Sequence, residues 1–271
     1  MRNYSIGVFD SGFGGLDILQ EVVRKLPEYS YIYLGDTART PYGTRSQEVI
    51  YTFTKQAVDF LFENNCWLVI LACNTASSGA LRRVQREYLP VHYPQRRVLG
   101  VIIPVCEEAI ERTKNNRIGV IGTEATVSSS AFERELKKLN PNIEVFQKAC
   151  PLLIPIVESG EKDSNITELI LNNYLRPIIE KNIDTLVLGC THYGLLEDEI
   201  KKVIGEEIDI VSEGRVVSIK LKEYLRKHPE IESLLKKESS VRFLTTDLTD
   251  KFTKLGSKFF GREIKAEKVG L

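Results

Sequence analysis

Residues 67–75 read Trp67-Leu68-Val69-Ile70-Leu71-Ala72-Cys73-Asn74-Thr75, and residues 186–192 read Leu186-Val187-Leu188-Gly189-Cys190-Thr191-His192. In both, an apolar run ends in a small residue, a thiol and two polar side chains. A run this apolar does not suit a half-exposed strand. It predicts a strand covered on both faces, as in a parallel sheet. Ile6-Gly7-Val8-Phe9-Asp10-Ser11 and Ile118-Gly119-Val120-Ile121-Gly122-Thr123 form a second matched pair. The offset is 112 residues between Ile6 and Ile118 and 117 between Cys73 and Cys190, a difference one loop insertion absorbs. Buried parallel strands look alike, so the Ile-Gly-Val match carries little. The matched cysteine at a matched strand end carries the repeat.

Outward from these strands the periodicity alternates. Residues 4–9, 31–34, 98–103, 117–121, 143–147, 185–188, 208–211, 241–245 and 264–268 read as strands. Residues 16–26 carry apolar side chains at 16, 18, 19, 22, 23 and 26, a helical stripe, and 48–62 do the same at 49, 50, 53, 57, 60 and 61. Residues 104–113, 130–139, 168–181 and 248–260 are further helices, and Ser212 is placed to cap one running through Leu225. This order predicts an α/β protein built from βαβ units with largely parallel sheets. The segment 90–97, with its proline and arginine residues, is the best candidate for a crossover between halves.

Composition narrows the function. The 271 residues include 37 Lys+Arg and 37 Asp+Glu, so nothing in the balance favours nucleic acid or an anionic membrane. A content of 42% hydrophobic residues is that of a globular chain with a sizeable core. No apolar run is long enough to span a membrane, and the N-terminus enters a strand pattern without the apolar segment of a signal peptide. A cytoplasmic location is expected. Five widely spaced cysteines, Cys66, Cys73, Cys106, Cys150 and Cys190, do not form a disulfide framework. His92, His192 and His228 make no metal-spaced cluster, so no metal is expected.

In open α/β sheets ligands sit beyond the C-terminal strand ends. Cys73 and Cys190 both fall there. Two halves facing one another about a pseudo-two-fold axis would present one thiol to each face of a substrate, which suits stereoinversion. Free cysteines are also ordinary core residues, and Cys66, Cys106 and Cys150 are read that way. The polar neighbours Asn74-Thr75 and Thr191-His192 favour function for the other two. In an extended segment His192 would share a side with Cys190 and promote its thiolate. It would otherwise be a helix cap or a core imidazole. Asp10 can shuttle or orient a proton for the thiol of its own half, and can equally make an Asx turn or cap a helix.

Two glycine signals complete the residue reading. Ser11-Gly12-Phe13-Gly14-Gly15-Leu16 lies between a strand and a helix, but a dinucleotide loop would need glycine where Asp17 stands, and no Walker lysine follows. A backbone nest for a carboxylate is still open to it. Thr40-Pro41-Tyr42-Gly43 is a turn, either plain or a second anion contact. No lysine context points to a pyridoxal Schiff base, so no cofactor is expected.

These residues together resemble the glutamate racemases, cofactor-independent enzymes that make D-glutamate for bacterial peptidoglycan. The resemblance rests on Val8-Phe9-Asp10-Ser11-Gly12-Phe13-Gly14-Gly15, Gly35-Asp36-Thr37-Ala38-Arg39-Thr40-Pro41-Tyr42-Gly43, Ala72-Cys73-Asn74-Thr75-Ala76, Val157-Glu158-Ser159-Gly160 and Leu188-Gly189-Cys190-Thr191-His192-Tyr193. It implies two catalytic thiols at Cys73 and Cys190, the first taking the α-proton of D-glutamate and the second that of L-glutamate. Asp10, Glu158 and His192 would assist. Substrate contacts would fall on Ser11, Tyr42, Gly43, Asn74, Thr75 and Thr191, with Thr126 and Thr123 adding to them. The implied fold is two pseudosymmetric α/β domains with the active site in the cleft between them, residues 1–97 plus 212–271 forming the first and 98–211 the second. A homodimer is the family expectation. The chain departs from the family pattern at Pro104-Val105 and Tyr193-Gly194-Leu195-Leu196, where Pro-Gly and Tyr-Pro-Leu-Leu are usual.

Overall fold

The computed structural model describes residues 3–271. Its strands are β1 (Ser5–Asp10), β2 (Tyr31–Gly35), β3 (Cys66–Leu71), β4 (Arg97–Gly100), β5 (Arg117–Gly122), β6 (Glu144–Ala149), β7 (Thr185–Gly189), β8 (Asp209–Val211), β9 (Val241–Thr245) and β10 (Ala266–Lys268). They form one sheet in the order β10-β9-β2-β1-β3-β4 and another in the order β6-β5-β7-β8, with all ladders parallel. Helices cover both, as the unbroken apolar strands require.

The repeat is built into the register. Gly7 pairs with Val69 in the first sheet, and Gly119 pairs with Leu186 in the second. These are the positions related by the sequence offsets. The four-strand order β2-β1-β3-β4 recurs as β6-β5-β7-β8. The first sheet adds β9 and β10 from the C-terminal tail, β9 running alongside β2. The tail returns through helix Glu213–Lys227, which packs on helix Gly15–Lys25.

Local sequence explains the covering helices. Leu16, Ile18, Leu19 and Val22 recur at helical spacing, are no more than 1% exposed and join the core between the sheet and the tail helices. Burying four such side chains contributes on the order of 6–12 kcal/mol before chain entropy is charged against it. Asp17 lies in the first turn and Arg24 and Lys25 in the last, as the helix dipole favours. Helix Gln47–Glu63 starts at Ser46, whose hydroxyl accepts from Val49 N.

Some expectations shift. The strand expected over 98–103 stops at Gly100, and a helix begins at Ile102 with Pro104 in its first turn, where proline is tolerated. β4 pairs with β3, so residues 98–100 lie in the first sheet rather than opening the second unit. The segment from Asn74 to His92, which the periodicity left unassigned, is a run of short helical pieces. Val105 is a buried helix residue. Gly194 lies in the 3-10 turn Tyr193–Leu196.

Candidate active site

Both repeated strands end at one cleft. Cys73 follows β3 and is the N-cap of helix Asn74–Gly79, its Sγ accepting from Ala76 N at 3.4 Å. The Ser11 hydroxyl, from the turn after β1, lies 3.3 Å from the same sulfur. Cys190 follows β7, with its Sγ 4.0 Å from His192 Nδ1. Residue 192 has helical φ and ψ of −72° and −26°, so the segment turns instead of extending, and the turn itself brings the ring to the thiol. Both thiols line a cavity of about 300 Å³ between the two sheets' strand ends. Cys66, Cys106 and Cys150 are buried elsewhere.

Ser11, Tyr42, Gly43, Asn74, Thr75, Thr191, Glu158 and His192 line the same cavity, as do Thr40, Thr44 and Thr123. Thr126 does not. It lies fully buried behind Thr123, in a hydroxyl chain with Thr75 to Thr123 at 3.0 Å and Thr123 to Thr126 at 3.0 Å. That chain crosses from one half to the other. The Tyr42 hydroxyl donates to buried Asp36 at 2.5 Å, so the loop offers the cavity its backbone and threonine hydroxyls rather than this phenol.

Asp10 is absent from the lining and sits beneath it. Its Oδ2 accepts from Gly12 N at 2.8 Å, the Asx turn foreseen, while its Oδ1 is buried without a hydrogen-bond partner among the described residues. Burial raises its carboxyl above the usual range, against the opposing pull of His192, the Gly12 and Gly15 amides and the Thr191 hydroxyl. Burial also pushes the Cys73 thiol up to about 11, with Asp10 adding to the rise and Ser11 tempering it. Cys190 is raised well above the ordinary thiol range by burial, its main opposition being the His192 backbone amide.

His192 is tied to Glu158, and Glu158 in turn to Lys251. Its Nε2 is 3.3 Å from Glu158 Oε1, an ion-pair distance without hydrogen-bond alignment. Glu158 Oε2 accepts from Lys251 Nζ at 2.7 Å. Burial works against the Glu158 carboxylate, but His192 and Lys251 together hold it below its ordinary value. Lys251 stands on helix Asp250–Phe260 of the tail, far from any cysteine in sequence, and no motif announces it.

The glycine loop serves close approach. A Cβ on Gly14 would lie 2.1 Å from Thr191 Oγ1 and 2.9 Å from His192 Nδ1. One on Gly15 would lie 2.6 Å from Asp10 Cβ. Gly43 likewise meets Thr123 of the other half, and its carbonyl accepts from Ala125 N at 3.0 Å. The glycines let the halves touch around the thiols. Among the described residues, no group of three or more His, Cys, Asp or Glu is placed to hold a metal ion.

Residues 6–214 match the family model Asp/Glu/Hydantoin racemase. The chain is 39% identical over 261 residues to the glutamate racemase of Geobacter metallireducens, covering 96% of this chain and 94% of the relative. The crystal structure of a glutamate racemase isoform from Bacillus anthracis superposes with a TM-score of 0.91 at 36% identity, over 100% of this chain and 99% of that one. The Francisella tularensis glutamate racemase, solved in complex with D-glutamate, superposes with a TM-score of 0.90 at 35% identity, over 100% and 98%.

Proposed function

The chain belongs to the Asp/Glu/Hydantoin racemase family, and from that premise we propose that it interconverts L- and D-glutamate by moving the α-proton between two thiols, without a cofactor. One observation carries the reading: Cys73 and Cys190 end matched strands of a repeated fold and line one cavity. Glutamate is favoured as substrate because the relatives matched over nearly their whole length are glutamate racemases.

The thiols do the chemistry. One, as thiolate, removes the α-proton from one face, and the other, as thiol, returns a proton to the opposite face. Ser11 and Asp10 serve Cys73; His192, positioned by Glu158, serves Cys190. Thr75, Asn74, Thr191 and Thr123 hold the substrate, with Thr126 steadying Thr123 and Tyr42 and Gly43 shaping the wall. The energetic problem is the acidity gap. A turnover of about 10 per second corresponds to a barrier near 16 kcal/mol, and at 1.36 kcal/mol per pKa unit about 12 units would consume it. A thiol raised to about 11 gives a stronger base once ionised but ionises less readily, so its burial alone does not close the gap. Hydrogen bonds to the substrate carboxylate must stabilise the developing carbanion, and exclusion of water strengthens them.

We further infer that D-glutamate made here feeds peptidoglycan synthesis in the cytoplasm, that the enzyme works as a homodimer, and that the two units divide close to the β4 edge of the first sheet. Among the described residues no helix is long and apolar enough to cross a membrane. Optical rotation tests the activity: L-glutamate should lose its rotation with no addition. Cys73→Ala and Cys190→Ala should each abolish inversion with the fold intact, while Cys66→Ala and Cys150→Ala cost at most stability. Full activity in Cys190→Ala would sink the two-thiol reading.

A further inference from the structure

Glu213 opens helix Glu213–Lys227 and is only 5% exposed, yet neither carboxyl oxygen has a hydrogen-bond partner among the described residues. Beside it stands Asn74, 2% exposed, whose Oδ1 and Nδ2 are also unpartnered. Asn74 lines the cavity and Glu213 does not. Four buried polar atoms without partners at one spot would be costly if nothing joined them.

The charge state decides whether all four atoms can be satisfied at once. A carboxylate only accepts; a carboxylic acid donates through O–H and accepts through C=O, which is the complement of a primary amide. The ionisable groups facing Glu213 are Asp10 at the end of β1, Asp17 on helix Gly15–Lys25 and Cys190 beyond β7. Each is neutral or negative. The helix N-terminus favours an anion modestly, but burial dominates and, with the neighbouring acids, carries the carboxyl well above its ordinary range, the Asn74 amide opposing it.

We propose that Glu213 is a positioning residue: as a neutral acid it pairs with the Asn74 carboxamide and turns the remaining Asn74 N–H into the cavity. The acid O–H donates to Asn74 Oδ1, and one Asn74 N–H donates to the Glu213 carbonyl oxygen. All four atoms are then satisfied, and one N–H is left for a substrate carboxylate. A neutral Glu213 also keeps negative charge away from a site that must hold a thiolate and an anionic substrate. The substrate side of this inference rests on the racemase reading above.

The test uses Glu213→Gln, Glu213→Leu and Asn74→Ala in the full chain. Glutamine donates and accepts as the acid does, so its KM for glutamate should stay within about threefold of wild type. Leucine should raise KM about tenfold, the worth of one hydrogen bond to a charged group, with a smaller effect on kcat. In the Asn74→Ala background Glu213→Leu should add nothing further, since it acts through Asn74. The infrared difference between wild type and Glu213→Gln should contain a carboxylic-acid C=O band. Wild-type KM in Glu213→Leu, an undiminished leucine effect without Asn74, a glutamine variant as impaired as leucine, or a carboxylate band in place of the acid would each overturn the proposal. If Glu213→Leu does not fold, the glutamine KM and spectrum decide. If the wild-type protein does not invert glutamate, the racemase reading fails while the infrared difference still settles the proton on Glu213.

Discussion

The Nε2 atom of His192 lies 3.3 Å from Oε1 of Glu158, and the same ring places Nδ1 4.0 Å from the sulfur of Cys190. The imidazole therefore bridges the second thiol to a carboxylate that Lys251 anchors from the tail helix. Around Cys73 stand the Ser11 hydroxyl and the buried Asp10 carboxyl, with no imidazole in contact among the described residues. The surroundings of the two thiols thus differ although the folds around them repeat.

Under the proposed two-thiol mechanism, unequal surroundings predict unequal mutants. General acid–base partners contribute about 10²–10⁴-fold, so Asp10→Asn and His192→Asn should slow turnover by that order without abolishing binding. Asp10→Asn should impair the direction in which Cys73 is the base, and His192→Asn that using Cys190. Glutamate enantiomers are equally stable, so kcat/KM must stay equal in both directions and the asymmetry can reside only in the separate constants. Initial rates from pure L- and pure D-glutamate measure it. Identical kcat and KM patterns in the two mutants would count against this division of labour.

Asp17 gives a pH prediction. Burial, with Glu21 and Glu197 nearby, pushes its carboxyl from 3.8 up to about 6. Between those values the folded chain binds more protons than the unfolded one, so stability falls as pH rises through the window and the deficit is complete above 6. About 2 units set a ceiling near 3 kcal/mol, and partial exposure of Asp17 reduces it to about 1–2 kcal/mol. Asp17→Asn should raise Tm by about 3–6 °C at pH 8 and leave it unchanged near pH 4. Thermal melts at the two pH values test this, and an equal gain at both would remove Asp17 as the cause.

Gly14→Ala tests the contact between halves. Gly14 has helical φ and ψ of −59° and −34°, so alanine costs nothing in the backbone. The added methyl would instead fall 2.1 Å from Thr191 Oγ1. Overpacking costs about 1–3 kcal/mol, a drop of several degrees in Tm. Displacing Thr191 and His192 by about an ångström should cut kcat far more, by about 10²-fold. Gly194→Ala is the control, since its methyl would meet only the end of Asp17 at 3.3 Å. An active, stable Gly14→Ala enzyme would show that the two halves need not touch there.

What the sequence disclosed follows from what it can encode locally. Strand cores are continuous apolar runs, so the sheets, their parallel sense and even the offset that sets Gly7 opposite Val69 and Gly119 opposite Leu186 were readable. The cysteines were readable because polar residues follow them at strand ends. The short helices after Asn74 were hidden because Asn74-Thr75 and Ser77-Ser78-Gly79 are weak helix formers held by packing. Lys251 and Glu213 were hidden because each looks like an ordinary charged residue in the first turn of a tail helix. Only the return of the tail onto the first sheet gives them their neighbours.

Inversion by two bases has an isotopic consequence. Cys73 and Cys190 line one cavity from the two halves, and if they act as proposed, the proton removed from one face of the α-carbon is not the one delivered to the other. Each thiol exchanges with solvent between turnovers, so in heavy water the delivering group carries deuterium. Starting from L-glutamate, the earliest D-product should be deuterated at the α-carbon, while unreacted L-glutamate stays almost unlabelled because the Cys190 thiol first holds the substrate's own proton. Burial of both cysteines, at 5% and 6% residue exposure, slows exchange during the lifetime of the complex and sharpens that contrast. A single base reaching both faces would return the original proton to much of the product. Mass spectrometry on separated enantiomers at low conversion distinguishes the two, using enzyme freed of small molecules. Early D-product that largely keeps its original proton would overturn the two-thiol mechanism, and a requirement for added pyridoxal phosphate would overturn its cofactor-free form.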